Sequence, residues 1–162
     1  MSQVQTPRSL HYLAFVPAAA FLLGSADYGL VGCYDQAGRC VWRDGLVAHV
    51  GSLAVSGDGG LAALACFTEG LQRYNVAGKN LGRLTVGEPC RLAALSFDGR
   101  QILAAGLSNR LLLLDSGGQV HGAHPLDKQP VAVVLGALAD RAAAAFGDGT
   151  VLSLDLREPP RA

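Results

Sequence analysis

Short apolar runs alternate with polar turns along nearly the whole chain, and the pattern repeats every forty residues. The clearest marks of the repeat are Asp35, Asn75, Asp115 and Asp155, each of which follows an apolar run. A fixed period of about 40 residues is typical of propellers and repeat arrays, in which each copy is one supersecondary unit. The pattern therefore predicts four copies of one unit.

Each copy contains up to four apolar runs, and we predict that every run is a β-strand. The predicted strands are 12–16, 21–25, 30–34 and 40–43; 53–56, 61–66, 71–74 and 80–86; 92–96, 102–106, 111–114 and 120–124; and 131–136, 142–146 and 151–154. Asp58-Gly59 and Asp98-Gly99 separate the first two runs of their copies. Asp forms a local side-chain bond and Gly adopts positive φ, as tight hairpins require.

Two segments have an alternative interpretation. The run Ala142–Ala145 favours helix by propensity, but Asp140 and Gly147 leave too little length for a stable helix. Residues 13–24 resemble the apolar core of a secretory signal, yet they also fit two strands of the repeat. We expect strands in both segments, because small residues let neighbouring sheets approach closely.

Composition is that of one globular domain without a basic surface. The chain has 162 residues, of which 50% are hydrophobic and 16% charged, with zero formal net charge. We expect one propeller domain over 1–156, with blades at about 9–50, 51–90, 91–130 and 131–156, and a tail at 157–162. Nucleic-acid binders usually carry a basic stripe, so we expect no nucleic-acid partner. The apolar run at 13–24 is too short for a transmembrane helix, so we expect no membrane insertion.

The cysteines and histidines predict no metal site. Cys33, Cys40, Cys66 and Cys90 form no Cys-x-x-Cys pair and no cluster with His, whereas zinc sites present ligands at such spacings. Free thiols in a reducing cytosol are the expectation, with a disulfide or metal site as the alternative. We expect no cofactor. Free thiols are typical of a reducing compartment, so we expect a cytoplasmic location.

The two ends of the repeat complement each other. The last copy has three runs, and Ser2-Gln3-Val4-Gln5 before Pro7 has the alternation of an edge strand. We therefore expect residues 2–6 to supply the outer strand of the last blade. The many small residues suit narrow wedges between blades, which favours half of an eight-bladed ring, closed as a homodimer. A closed four-bladed propeller, or pairing with another propeller fragment, is the alternative.

The stretch Phe146–Asp155 resembles the end of a WD40 repeat. Tyr34-Asp35, Tyr74-Asn75, Leu114-Asp115 and Leu154-Asp155 occupy the Trp-Asp position, and His49 resembles the family's Gly-His element. The resemblance covers about residues 9–156. It departs from the family in that no Trp occupies the Trp-Asp position and only one copy keeps His. Residues 35–42 are also similar to quinoprotein-type propeller repeats.

The resemblance implies a non-catalytic protein-protein interaction scaffold or an accessory subunit of a larger assembly. In such propellers the loops between strands two and three, and those linking blades, line one face. These loops give seven candidate partner-binding residues: Tyr28, His49, Glu69, Glu88, Asn109, Arg110 and Lys128. The recurring Asp35, Asn75, Asp115 and Asp155 are expected to be turn residues after the third strand of each copy.

A second class of function remains open from the sequence. A ligand-binding or enzymatic propeller would carry its site in the central channel. The chain has no nucleophile elbow, P-loop or dinucleotide fingerprint. We therefore expect no catalytic residues and no enzyme activity.

Overall fold

The structure is a computed structural model that describes residues 3–16, 18–68 and 70–157. These residues form fifteen strands and no helix: β1 Tyr12–Val16, β2 Phe21–Ser25, β3 Val31–Tyr34, β4 Cys40–Asp44, β5 Val50–Val55, β6 Ala62–Cys66, β7 Gly70–Tyr74, β8 Asn80–Leu84, β9 Cys90–Leu95, β10 Gln101–Gly106, β11 Arg110–Asp115, β12 Val120–Pro125, β13 Pro130–Leu135, β14 Arg141–Phe146 and β15 Val151–Asp155.

The strands pair in chain order into four antiparallel sheets. Sheet 1 contains β1–β4, sheet 2 β5–β8, sheet 3 β9–β12 and sheet 4 β13–β15. The all-β prediction is confirmed, and residues 13–24 contribute to β1 and β2. The Ala-rich run lies in β14, where Ala142 and Ala144 are buried. Burial between sheets therefore outweighs the helix propensity of alanine.

Carboxylates fix the turns, as the sequence predicts. Oδ1 of Asp35 accepts hydrogen bonds from the backbone N–H groups of Ala37 and Arg39, at 2.9 and 2.8 Å. Asp115 accepts the equivalent pair in sheet 3, and Asp155 accepts the N–H of Arg157. In the β5–β6 turn, Asp58 accepts from both Ser56 Oγ and the N–H of Gly60. These side chains stabilise turns within their own sheets.

The sheets stack face to face in the order 1, 2, 3, 4. Three apolar clusters lie between consecutive sheets, and the contacts run mainly through the first strands β1, β5, β9 and β13. Among the described residues no comparable contact joins sheet 4 to sheet 1. We call the face of a sheet that packs on the preceding sheet its leading face, and the opposite face its trailing face.

Small residues allow the first strands to approach closely. A Cβ added at Gly51 in β5 would lie 2.3 Å from the carbonyl oxygen of Arg91 in β9, so no other residue fits there without a backbone shift. Ala62 and Ala65 in β6 are fully buried between sheets. Alanine and glycine therefore set the spacing of the sheets.

The predicted strand over residues 2–6 does not form in the single chain. Residues 3–6 have no regular structure, and Ser2 lies outside the described residues. Strand β15 has no fourth strand beside it among the described residues, so sheet 4 is three-stranded. Of the predicted tail, only Arg157 is described, and its guanidinium pairs with Asp155 at 2.6 Å.

Candidate functional site

The loops that carry the predicted partner-binding residues lie at one end of the sheet stack. The antiparallel order places the second-to-third-strand turns and the linkers between sheets at the same end, which we call the linker end. The first-to-second-strand turns lie at the opposite end, the turn end. Six of the seven predicted site residues are at the linker end. The seventh, Glu69, lies outside the described residues.

Tyr28 and His49 contact each other across the junction of sheets 1 and 2. They form an isolated antiparallel bridge, and their ring centroids are 4.9 Å apart. The carbonyl of His49 also accepts a hydrogen bond from the N–H of Phe67, at 2.9 Å. Tyr28 and Phe67 each keep 36% of their surface exposed. The backbone bonds therefore hold two aromatic rings at a partly exposed position.

Glu88 and Arg110 form an ion pair at the junction of sheets 2 and 3. The Arg110 guanidinium donates to Glu88 Oε1 at 2.6 Å, and the N–H of Ser108 donates to Oε2 at 2.9 Å. The Glu88 side chain is 4% exposed and that of Arg110 is 45% exposed. Burial raises the pKa of the Glu88 carboxyl, but the bonds from Ser108 and Arg110 outweigh it, so the pKa is lowered overall.

Lys128 and Asn109 each have their own hydrogen-bond partners at the junction of sheets 3 and 4. Lys128 donates to Asp148, and this bond lowers the pKa of the Asp148 carboxyl to about 2. Asn109 accepts from Gln129 Nε2 through its side chain and from the N–H of Leu126 through its carbonyl. These polar groups connect each linker to the neighbouring turn.

The exposed apolar side chains at this end were not predicted from the sequence. Val47 is 74% exposed and belongs to the same linker as His49, and Leu107 is 44% exposed in the β10–β11 turn. The available signal was the presence of apolar residues outside the predicted strands, in the linker at 45–49 and in the turn at 107–109. We define the linker-end patch as Tyr28, Val47, His49 and Phe67.

Two cavities lie among the described residues, and the larger one borders the linker-end patch through Gly29 and Gly45. One of about 280 Å³ at the turn end is lined by Phe97, Leu138 and neighbouring turn residues. The other, of about 400 Å³, lies between the N-terminal segment and sheet 1 and is lined by Arg8, Arg43 and neighbouring residues. The residues lining these cavities include no His or Cys. A nucleophile paired with a histidine base is therefore not formed by them.

The described residues contain no group of three His, Cys, Asp or Glu side chains placed to hold a metal ion. The four cysteines are unpaired: Cys40 is exposed, and Cys33, Cys66 and Cys90 are buried. Burial raises the pKa of the Cys90 thiol to about 12. Within the same described ranges, no helix is long and apolar enough to cross a membrane.

Comparison with known protein families finds no family model that matches the chain. A search of curated proteins likewise finds no match.

Proposed function

We propose that the chain is a non-catalytic protein-protein interaction scaffold of WD40-like propeller blades, which binds its partner through the linker-end patch. The observation that carries the proposal is the partly exposed pair Tyr28 and Phe67, joined through His49 at one end of a stack of four sheets. Aromatic side chains held in fixed positions contribute much of the binding energy at protein interfaces.

The repeated architecture supports this proposal. Four antiparallel sheets follow one another in chain order and stack through their first strands, which is the arrangement of consecutive propeller blades. The polar candidates Glu88, Arg110 and Lys128 are engaged in ion pairs within this framework. Their role is to hold the loops, and the apolar residues beside them provide the contact surface.

Affinity purification from the native cell, followed by mass spectrometry, tests the proposal. The test variant is the double substitution Val47→Ser with Phe67→Ser, and the control is Leu138→Ser, which removes an 85% exposed leucine at the turn end. We expect one or more proteins to be recovered with the wild type and the control. Recovery with the test variant should fall by roughly tenfold or more.

The fold of each variant is checked by far-UV circular dichroism. Equal recovery by the folded test variant would remove the linker-end patch from the proposal. Recovery of the protein alone, with a small ligand or metal retained through purification, would instead favour the ligand-binding or enzymatic alternative. A stable complex recovered at fixed stoichiometry would make the chain an accessory subunit of a larger assembly.

A further inference from the structure

The last sheet exposes a face that is buried in every sheet before it. Leu71 in sheet 2 and Leu111 in sheet 3 lie on trailing faces and are 0% and 2% exposed. The residue at the same repeat position in sheet 4 is Val151, which is 68% exposed. Val134 pairs with Ala143 on this same face and is 60% exposed. Sheet 4 therefore presents a trailing face built for packing against another sheet.

The first sheet exposes the complementary face. Leu13 and Phe15 lie on the leading face of sheet 1 and are 60% and 78% exposed. Val55 in sheet 2 and Leu95 in sheet 3 stand at the same repeat position as Phe15. Each of them packs against the preceding sheet. Large apolar residues thus protrude from the leading face of sheet 1, and the trailing face of sheet 4 presents valines together with small residues such as Ala143.

The N-terminal segment occupies the place of an outer strand from a preceding sheet. A Cβ on Gly78 would meet the ring of Trp42 at 2.6 Å, and one on Gly118 would meet Leu84 at 2.9 Å. Trp42 and Leu84 belong to the outer strands of the preceding sheets. At the equivalent turn of sheet 1, a Cβ on Gly38 would meet Val4 at 3.3 Å.

Val4 also stands two repeat lengths before Leu84 in the sequence. Position in space and position in the repeat therefore agree. Residues 3–6 lie against sheet 1 where the outer strand of a preceding sheet belongs, and the outer edge of sheet 4 is open among the described residues.

We propose that two copies of the chain close into one ring of eight sheets, in which residues 3–6 of each copy form the outer strand of sheet 4 in the other. Sheet 1 of one copy then packs on sheet 4 of its partner at two identical junctions. A twofold axis satisfies both free faces and both open edges at once. The occupant is a second copy because it supplies the missing leading and trailing faces together.

Light-scattering mass measured after size exclusion at micromolar concentration is the first test. We expect about twice the 16.7 kDa of one chain. The test variant is Val134→Glu. The control is Val120→Glu, because Val120 is also exposed but lies on sheet 3, which has sheets 2 and 4 of the same chain on either side. Val134→Glu should weaken association at least about a hundredfold, because it buries an unpaired carboxylate at both junctions. Val120→Glu should remain dimeric.

A mixing experiment tests the head-to-tail arrangement. Phe15→Glu alone and Val134→Glu alone are each expected to be monomeric, because either change alters both junctions of its homodimer. In a mixed dimer, sheet 1 of the Phe15→Glu copy packs on sheet 4 of the Val134→Glu copy, so one junction carries both substitutions. The other junction carries neither substitution. We therefore expect the mixture to recover the mass of two chains. Failure to recover it, or a Val134→Glu protein as dimeric as the wild type, would refute the proposed junction.

Deletion of residues 3–6 tests the exchanged strand. It leaves the edge of β15 open, and we expect loss of the dimer together with aggregation. A deletion protein that stays a soluble dimer would refute the exchange. A wild-type monomer would refute the ring of two chains and favour closure within one chain. None of these changes touches the linker-end patch, so the ring and the proposed scaffold function can fail independently.

Discussion

Replacement of Glu88 provides the sharpest test of how the linker end is held together. Its carboxylate accepts three hydrogen bonds, one from the N–H of Ser108 and two from the guanidinium of Arg110. Glu88→Gln keeps the shape and one acceptor but removes the charge. The side chain is 4% exposed, so water cannot replace the lost partner at that position.

The expected loss of stability is about 2 kcal/mol. A hydrogen bond to a charged group contributes roughly 1.5–3 kcal/mol, and breaking a fully buried ion pair costs about 3–5 kcal/mol. The lower part of this range applies because Arg110 is 45% exposed and can be hydrated in the variant. With a urea m-value of about 2 kcal/mol per molar, the unfolding midpoint should fall by about 1 M.

The stability difference between wild type and Glu88→Gln should depend on pH in a defined direction. The pKa of Glu88 is lowered from 4.5 in the folded state. A lowered pKa stabilises the fold above the unfolded value, and that contribution is lost as pH falls through the folded value. The difference in unfolding free energy between the wild type and Glu88→Gln should therefore have its largest value at pH 7 and become smaller below about pH 4.5.

Urea unfolding followed by far-UV circular dichroism at pH 7, 5 and 4 measures this difference. The control is Arg100→Gln, which removes an exposed partner lying 3.5 Å from Asp98. An exposed pair contributes about 0–1 kcal/mol, so the control midpoint should barely move. A Glu88→Gln midpoint equal to that of the wild type, or a difference independent of pH, would refute the reasoning.

Two further predictions concern the sheet junctions and the thiols. Gly78→Ala and Gly82→Ala both place Ala at positive φ, which costs about 1–2 kcal/mol. Only the new methyl group of Gly78→Ala also meets the ring of Trp42, so this variant should lose about 1–3 kcal/mol more unfolding free energy than Gly82→Ala. It should also shift the fluorescence of Trp42. Equal losses of stability in the two variants would contradict the packing of Gly78 on Trp42. In the native protein a thiol reagent at pH 8 should modify Cys40 first, and the buried thiols, Cys90 among them, only on unfolding. Rapid native modification of Cys90 would contradict its burial.

Much of the strand pattern could be predicted because it is encoded locally. The forty-residue period and the Asp-Gly turns, such as Asp58-Gly59, place hairpins without any tertiary knowledge. The Ala-rich β14 needed one further argument, since helix propensity and strand burial oppose each other there. The packing against sheet 3 decides between them, and it arises from residues far away in the chain.

The surroundings of the candidate site residues could not be predicted from the sequence, for a physical reason. Position in the repeat placed Arg110 and Lys128 at the linker end, and partner binding by these two residues stays a prediction. Whether a charged side chain is free depends on its neighbours in space, and both are held by carboxylates. The exposure of Val47 likewise depends on how the linker lies, which composition does not reveal.

The difference between leading and trailing faces gives the stack a direction. A stack that adds units head to tail has no internal reason to stop at any number, since each added unit renews the same two ends. Growth ends only when the rotation from one sheet to the next completes a full turn. For the proposed ring, the angle between neighbouring sheets would therefore decide between a finite ring and an endless fibre.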